Sequence, residues 1–208
     1  NSFNSFEEHF KVIFLGGDHS VSYSITRAFF DYVQNNKDKN NGREPCLIVF
    51  DAHPDVMPLV DEKIPTHEEW LRALIEDGFP AKNILLVGVR NSDPAEIEFL
   101  EEKGIKQISI NEINLDLESA TDVITEFSSG KELYVSFDID AIDPAFAPST
   151  GYCEPGGLSS RQALYILQRI NKIKNLRGID IVEINAEKDK EKNNLTVKLG
   201  AKLLSEII

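Results

Sequence analysis

Residues 47–55 read Leu-Ile-Val-Phe-Asp-Ala-His-Pro-Asp, an apolar run that is followed at once by carboxylate and imidazole side chains. Four consecutive apolar residues without in-and-out alternation are typical of a strand that is buried on both faces. Similar runs followed by polar side chains occur at 11–20, 133–140 and 179–185. In parallel sheets ligands bind beyond the carboxyl ends of the strands, so these segments predict a functional edge.

The rest of the chain alternates between short apolar runs and longer helical patterns. The predicted strands are 11–15, 47–50, 84–89, 133–137 and 179–184. The predicted helices lie near 20–35, 66–77, 94–103, 117–128, 159–173 and 195–206, with Asp93–Pro94 and Ser159 (or Ser160) as start signals. This alternation predicts an α/β fold with a mostly parallel sheet covered by helices on both faces. The polar stretches 37–43 and 188–194 are predicted to be solvated loops.

Length and composition restrict the class of protein. The 208 residues fit a single domain, 1–208, and carry a formal net charge of −13. An acidic chain is a poor partner for nucleic acid or an anionic membrane, and no apolar run reaches the ~18–20 residues that span a bilayer. The spacing of Cys46 and Cys153 supports neither a disulfide framework nor a zinc knuckle. We therefore expect a reduced, cytoplasmic setting.

Potential metal ligands follow three of the predicted strands. In two of these motifs acidic or imidazole side chains recur at every second residue, and an extended backbone would place them on one face. In the third, Gly16 and Gly17 permit a sharp turn. Because the strand ends share one edge of the sheet, we expect six ligands to converge: His19, Asp51, His53, Asp55, Asp138 and Asp140.

The composition of this set indicates which ions it would hold. Four clustered carboxylates repel one another, and two divalent ions would balance their charge. An oxygen-rich set without thiolates favours Mn²⁺ over structural zinc. Two such ions ~3.5–4 Å apart can activate a water molecule as a nucleophile. The residues alone therefore predict a metal-dependent hydrolase.

Longer motifs resemble the arginase and agmatinase (ureohydrolase) family. They lie at 16–20 (GGDHS), 51–55 (DAHPD), 136–144 (SFDIDAIDP), 147–151 (APSTG), 154–158 (EPGGL) and 180–185 (DIVEIN). The resemblance implies a three-layer α/β/α fold, two Mn²⁺ ions, and hydrolysis of a guanidino compound (agmatine or arginine) to urea plus an amine. It also implies a homo-oligomer, since trimers and hexamers are common in the family. Only 15 residues precede Gly16, so we expect the N-terminal part of the family fold to be absent or shortened.

The resemblance also implies roles for individual residues. Glu183 matches the carboxylate that pairs with the substrate guanidinium, and a planar cation does favour a bidentate carboxylate. Asp55 would accept a hydrogen bond from the attacking hydroxide as well as bind metal. The implied ligands are His19, Asp51, Asp55 and Asp138 for one ion and Asp51, His53, Asp138 and Asp140 for the other, so that Asp51 and Asp138 bridge.

Three further assignments concern the substrate. His67 resembles a histidine that assists proton transfer to the leaving amine, although it fits the start of a helix equally well. Thr150 would line the guanidinium pocket, but a turn hydroxyl fits it as well. The segment 56–70 would suit a second cationic amine through its acidic residues Asp61, Glu62, Glu68 and Glu69.

Two other classes of function remain open from the sequence. One is a zinc-type, deacetylase-like amidohydrolase, which has a related fold, fewer carboxylates and one ion. The other is a non-catalytic, truncated relative that acts as a binding subunit. Metal content, two manganese ions against one zinc ion, separates the first of these from a ureohydrolase.

Overall fold

A parallel sheet of six strands organises residues 11–60 and 64–208, which are the residues that the computed structural model describes. The strands are β1 (Val12–Leu15), β2 (Pro45–Phe50), β3 (Ile84–Val87), β4 (Lys106–Ile108), β5 (Glu132–Asp138) and β6 (Leu176–Val182). They lie in the order β1-β6-β5-β2-β3-β4, and every neighbouring pair is parallel.

Helices follow most of the strands, and two of them start at the predicted signals. They are α1 (Val21–Asn35), α2 (Trp70–Glu76), α3 (Pro94–Lys103), α4 (Ile110–Leu115), α5 (Leu117–Phe127), α6 (Ser160–Ile170), α7 (Ala186–Asp189) and α8 (Leu195–Ser205). Asp93 caps α3 and Ser159 caps α6, each in a reciprocal capping box. Within the described ranges no helix is both long and apolar enough to cross a membrane.

Both faces of the sheet are covered. Along β2, Ile48 and Phe50 belong to a core cluster with buried residues of α5, α6 and α8. Leu47 and Val49, which point the other way, belong to a second cluster with α1, α2 and α3. All six residues of β2 are buried. The predicted three-layer α/β/α fold with a parallel sheet is therefore confirmed.

The order of the strands determines where a ligand can bind. From β2 the chain continues outward to β3 and β4 on one side, whereas β5 and β6 lie on the other side. The carboxyl ends of β2 and β5 therefore flank a topological switch point, the usual position of a binding crevice in such sheets. Asp51 follows β2, and Asp138 is the last residue of β5.

Some local predictions are wrong. The strand β4 and the helix α4 were not predicted, because β4 is a three-residue edge strand with two exposed residues and α4 has only six residues. The segment 188–194 is not simply a loop, since it contains part of α7 and a 3₁₀ turn, Lys190–Lys192. Within it the buried Asp189 accepts hydrogen bonds from the backbone N–H groups of Thr196 and Val197 at the start of α8.

Candidate functional site

Candidate metal ligands gather where β1, β2 and β5 end. His19 follows β1 by four residues, and Asp51 and Asp138 lie at the ends of β2 and β5. These three residues are at most 3% exposed. The structure brings together all six predicted ligands: His19, Asp51, His53, Asp55, Asp138 and Asp140.

The ligands form two overlapping triads. The first is His19, Asp51 and Asp138, and the second is Asp51, His53 and Asp140. Within each triad the ligand atoms all lie within 4.8 Å of one another, and Asp51 belongs to both. Asp138 belongs to the first triad only, so its bridging role stays a prediction.

The local backbone at these motifs differs from the extended conformation that we expected. The backbone N–H of His53 donates to Asp51 Oδ1 at 2.7 Å, and the N–H of Asp140 donates to Asp138 Oδ1 at 2.7 Å. Both motifs are therefore tight turns, the second of them in a 3₁₀ helix, Ile139–Ala141. The turn geometry, and not a strand face, directs the side chains to a common centre.

Close packing, and not an unusual backbone conformation, explains the glycine at position 16. Its φ angle is not positive, but a Cβ there would lie 2.8 Å from the side chains of both Val182 and Val21. The glycine therefore allows the end of β1 to approach β6 and the start of α1 closely. This close approach positions His19 three residues later.

A buried hydrogen-bond chain orients the imidazole of His19. His19 Nε2 lies 2.9 Å from Ser136 Oγ, which donates its proton to Asp180 Oδ1 at 2.7 Å. Because a hydroxyl has one proton, Ser136 accepts from His19, which places a proton on Nε2 and directs Nδ1 toward the carboxylates. Asp180 also accepts from the Tyr134 hydroxyl at 2.9 Å. The sequence alone assigned no role to Ser136 or Asp180, although both lie inside the motifs at 136–144 and 180–185.

The atoms facing the centre fit a metal ion better than they fit hydrogen bonds. His19 Nδ1 lies 2.9 Å from Oδ2 of Asp51, 2.9 Å from Oδ2 of Asp55 and 3.3 Å from Oδ2 of Asp138. Among the described residues neither Nδ1 nor Asp51 Oδ2 has a hydrogen-bond partner. Two ligands at right angles, each about 2.1 Å from one ion, lie about 3.0 Å apart. A proton can point at one oxygen only, whereas a cation is shared by several ligands.

The charges of this cluster also favour a bound cation. Burial and the carboxylates of Asp55 and Asp140 raise the pKa of Asp51 to about 7. Burial lowers the pKa of His53, but the carboxylates of Asp140 and Asp51 outweigh this effect and raise it to about 11. Both groups therefore hold protons more tightly than isolated side chains do. Divalent ions would provide the same charge compensation in place of protons.

Two acidic residues of the site have left-handed backbone conformations. Asp55 has a φ of 53° and Glu183 has a φ of 64°. Non-glycine residues rarely adopt this region, and such residues cluster at functional sites. Glu183 is held by two contacts: its N–H donates to Gly17 O at 2.8 Å, and its Oε1 accepts from the N–H of His19 at 2.7 Å.

Two adjoining cavities lie over the ligands. The smaller, of about 20 Å³, has room for one water molecule and is lined by five of the predicted ligands together with His67, Tyr152 and Glu183. The larger measures about 400 Å³, the size of a small-molecule site, and shares His53, Asp55, His67 and Tyr152 with it.

Three side chains near the cavities bear on the remaining assignments. His67 precedes α2 instead of beginning it, and its Nε2 has no hydrogen-bond partner in the described part of the chain. Tyr152, which was not predicted, stacks on His67 with ring centroids 5.9 Å apart. Thr150 is buried but lines neither cavity, so its contact with a substrate stays a prediction.

The three-layer fold and the paired triads define an α/β protein with two adjoining candidate metal sites at the carboxyl edge of a parallel sheet. The chain belongs to the arginase family, because the sequence model of that family matches residues 3–208. It is 31% identical to the mitochondrial arginase 1 of Arabidopsis thaliana over 202 residues, 97% of this chain and 55% of that protein. It is 30% identical to the N(1)-aminopropylagmatine ureohydrolase of Thermus thermophilus over 174 residues, 84% of this chain and 55% of that protein.

A solved structure supports the same fold. The arginase of Entamoeba histolytica, determined in complex with L-ornithine, superposes with a TM-score of 0.81 at 26% identity. The match covers 99% of this chain and 72% of that one. The expected arginase-like fold is therefore confirmed, and the chain spans about 55% of the length of the curated relatives named above.

Proposed function

We propose that this chain carries the catalytic centre of a manganese-dependent ureohydrolase, which hydrolyses a guanidino compound to urea plus an amine. One observation carries the proposal: two His/Asp triads that share Asp51 adjoin the same small cavity as the carboxylate of Glu183. A paired metal site beside a carboxylate that belongs to neither triad would provide what hydrolysis of a planar cation requires, namely an activated water and a partner for the cation.

The ligand set favours manganese. Its donors are carboxylate oxygens and imidazole nitrogens, with no thiolate among them. When bound, a pair of such ions would lower the pKa of a water molecule and stabilise the negative charge that develops during attack. His19 would bind through Nδ1, which the Ser136 contact leaves free. Asp55 would accept a hydrogen bond from the attacking water and so orient it.

Glu183 would bind the guanidinium group. Its Oε1 is fixed by the backbone N–H of His19, whereas a Cβ at Gly151 would lie 3.2 Å from Oε2. Gly151 therefore keeps that oxygen open toward a ligand. Burial raises the pKa of Glu183, against the opposing hydrogen bond from His19. A guanidinium cation would favour the charged carboxylate and offset the cost of burying it.

His67 would donate the proton that the leaving amine needs. We expect His67→Ala to lower kcat by about 100-fold, at the low end of general acid catalysis, because the side chain is 37% exposed and water can partly replace it. Both metal ions should stay bound, because His67 belongs to neither triad. Steady-state kinetics with metal analysis tests this, and added imidazole should restore part of the loss. A kcat close to that of the unaltered protein would leave His67 without a catalytic role.

The larger cavity favours a substrate whose tail carries a second cation, as agmatine does. Glu68 and Asp93 line it with exposed carboxylates, and no Lys or Arg of the described residues lines it. The carboxylate of Glu96 also lines it, but both of its oxygens accept hydrogen bonds from backbone N–H groups. Asp61 and Glu62, which we expected to contribute, lie outside the described residues. Glu69 does not contribute, since it is 2% exposed and accepts a hydrogen bond from the backbone N–H of Thr66. Arginine, whose tail also carries a carboxylate, is the alternative substrate.

A urea-release assay tests the proposal. The protein, reconstituted with Mn²⁺, would be given agmatine, arginine, guanidinobutyrate and guanidinopropionate in parallel. We expect urea from agmatine at the highest kcat/KM, because the acidic cavity suits its terminal amine. No urea from any of the four, with two ions bound per chain, would refute the ureohydrolase assignment. One zinc ion per chain and release of acetate from an acetylated amine would indicate the deacetylase-like alternative.

Metal removal should lower stability as well as activity. A ligand present at about 100 times its Kd stabilises the native state by about 2.7 kcal/mol. Chelation would remove this stabilisation and leave the crowded carboxylates without a compensating charge. For a chain of this length we expect the Tm to fall by roughly 5–10 °C. Thermal unfolding with and without chelator, followed by addition of excess Mn²⁺, measures the change. An unaltered Tm after verified removal of metal would contradict a loaded cluster.

A further inference from the structure

The indole ring of Trp70 contacts two candidate metal ligands at once. Its Nε1 donates to Asp55 Oδ2 at 2.8 Å, and its ring lies 4.7 Å from the imidazole ring of His19 between centroids. Trp70 is 0% exposed and forms the first residue of α2. None of the roles proposed above uses this residue.

The first turn of α2 holds Asp55 by two separate contacts. The backbone N–H of Leu71 donates to the carbonyl oxygen of Asp55 at 3.2 Å, while the indole N–H binds the side chain. Asp55 has a left-handed backbone, which costs free energy unless the surroundings fix it. The main chain and the side chain of Asp55 are thus fixed by two consecutive residues of α2, Leu71 and Trp70.

The oxygen that accepts from the indole is the one that faces His19. Asp55 Oδ2 lies 2.9 Å from His19 Nδ1, close to the separation of two ligands at right angles on one ion. A carboxylate held in this way presents one lone pair of Oδ2 to an ion in a fixed direction. The indole N–H donates to Oδ2 and not to Oδ1, so Oδ1 stays available to another donor. Hydrogen bonds of this kind fix the orientation of metal ligands, and their loss typically weakens metal binding about 10–100-fold.

We propose that Trp70 is a positioning residue for the metal centre, whose N–H fixes Asp55 so that Oδ2 binds the ion on the His19 side. This inference rests on the proposed function, because it concerns the same metal ions. It assigns a role to the N–H group and not only to the bulk of the ring. A phenylalanine or leucine at this position would fill space but could not hold the carboxylate.

The test replaces the N–H with little change in shape. In benzothienylalanine a sulfur atom stands where indole has N–H, and Trp70→Phe is a second variant with a smaller ring. Titration with Mn²⁺ should give two dissociation constants for the unaltered protein. In both variants we expect one constant to rise about 10–100-fold and the other to stay within about threefold. Phe79→Leu is the control, because Phe79 lies in the same core cluster and its ring packs on Phe30.

A double-mutant cycle with Asp55→Ala separates positioning from packing. If the indole acts through the carboxylate, replacing Trp70 in the Asp55→Ala background should not weaken metal binding further. Equal losses in both backgrounds, or unaltered constants in the benzothienylalanine variant, would overturn the positioning role. An unaltered protein that binds no Mn²⁺ would instead refute the proposed function. Isothermal titration calorimetry measures metal binding in all of these proteins, because the Trp70 variants contain no tryptophan whose fluorescence could be followed.

Discussion

Asp51→Ala should abolish binding of both metal ions, whereas Asp140→Ala should spare one. Asp51 belongs to both triads, and Asp140 belongs to one. Each carboxylate also accepts one backbone hydrogen bond, from His53 at 2.7 Å and from Ala52 at 2.9 Å respectively. Both variants therefore remove a buried carboxylate that accepts one backbone hydrogen bond. They differ in how many ions lose a ligand.

Metal analysis of the purified variants gives the answer. We expect far fewer than one metal ion per chain in Asp51→Ala and close to one metal ion per chain in Asp140→Ala. Urea release by Asp51→Ala should fall by more than about 100-fold, which exceeds the usual effect of losing a residue that only orients a ligand. Circular dichroism shows whether each variant is folded. Two ions retained in a folded Asp51→Ala would eliminate the shared-ligand assignment.

Glu183→Gln should lower kcat/KM for guanidino substrates by roughly 30-fold to several thousand-fold while both ions stay bound. The amide oxygen can still accept from the N–H of His19, so the local backbone contact is retained. The change removes the negative charge and presents a donor to the donors of the guanidinium. Breaking a buried, hydrogen-bonded charge pair typically costs ~2–5 kcal/mol, which gives this range.

The matched control is Glu187→Gln, the same chemical change at an exposed residue four positions further on. It should leave kcat/KM unaltered. Comparing agmatine with a neutral amide substrate adds a second control, since a neutral group does not need the carboxylate. If Glu183→Gln forms urea at the full rate, the carboxylate does not bind the guanidinium.

The fold and the positions of the ligands could be predicted because their signals are local. A buried parallel strand such as β2 is apolar along its whole length, and the polar residues after it lie at the functional edge. The conformation of the Asp-x-His and Asp-x-Asp turns could not be predicted, because side chain-to-backbone hydrogen bonds override the extended conformation. The strand β4 has one buried residue and therefore no hydrophobic pattern.

Other parts of the site depend on contacts between distant segments. The bond from Trp70 to Asp55 spans 15 residues, and the bond from His19 to Ser136 spans 117. A sequence pattern does not report which side chains meet across such distances. The Ser-x-x-Glu spacing at 109–112 is a different case, since it is a local capping signal at the start of α4, but the six residues of that helix are too few to add a clear helical pattern.

The left-handed backbone at Glu183 has a consequence for protein engineering. At such a position glycine relieves an unfavourable conformation that costs about 1 kcal/mol or more. Glu183 belongs to neither triad, so its replacement would leave the stabilising metal ions in place. A library selected for thermal tolerance alone should therefore enrich glycine or asparagine at 183, and the selected variants should be inactive. Selection for turnover should retain the acid despite its cost, so that heat resistance and turnover are opposed at this residue.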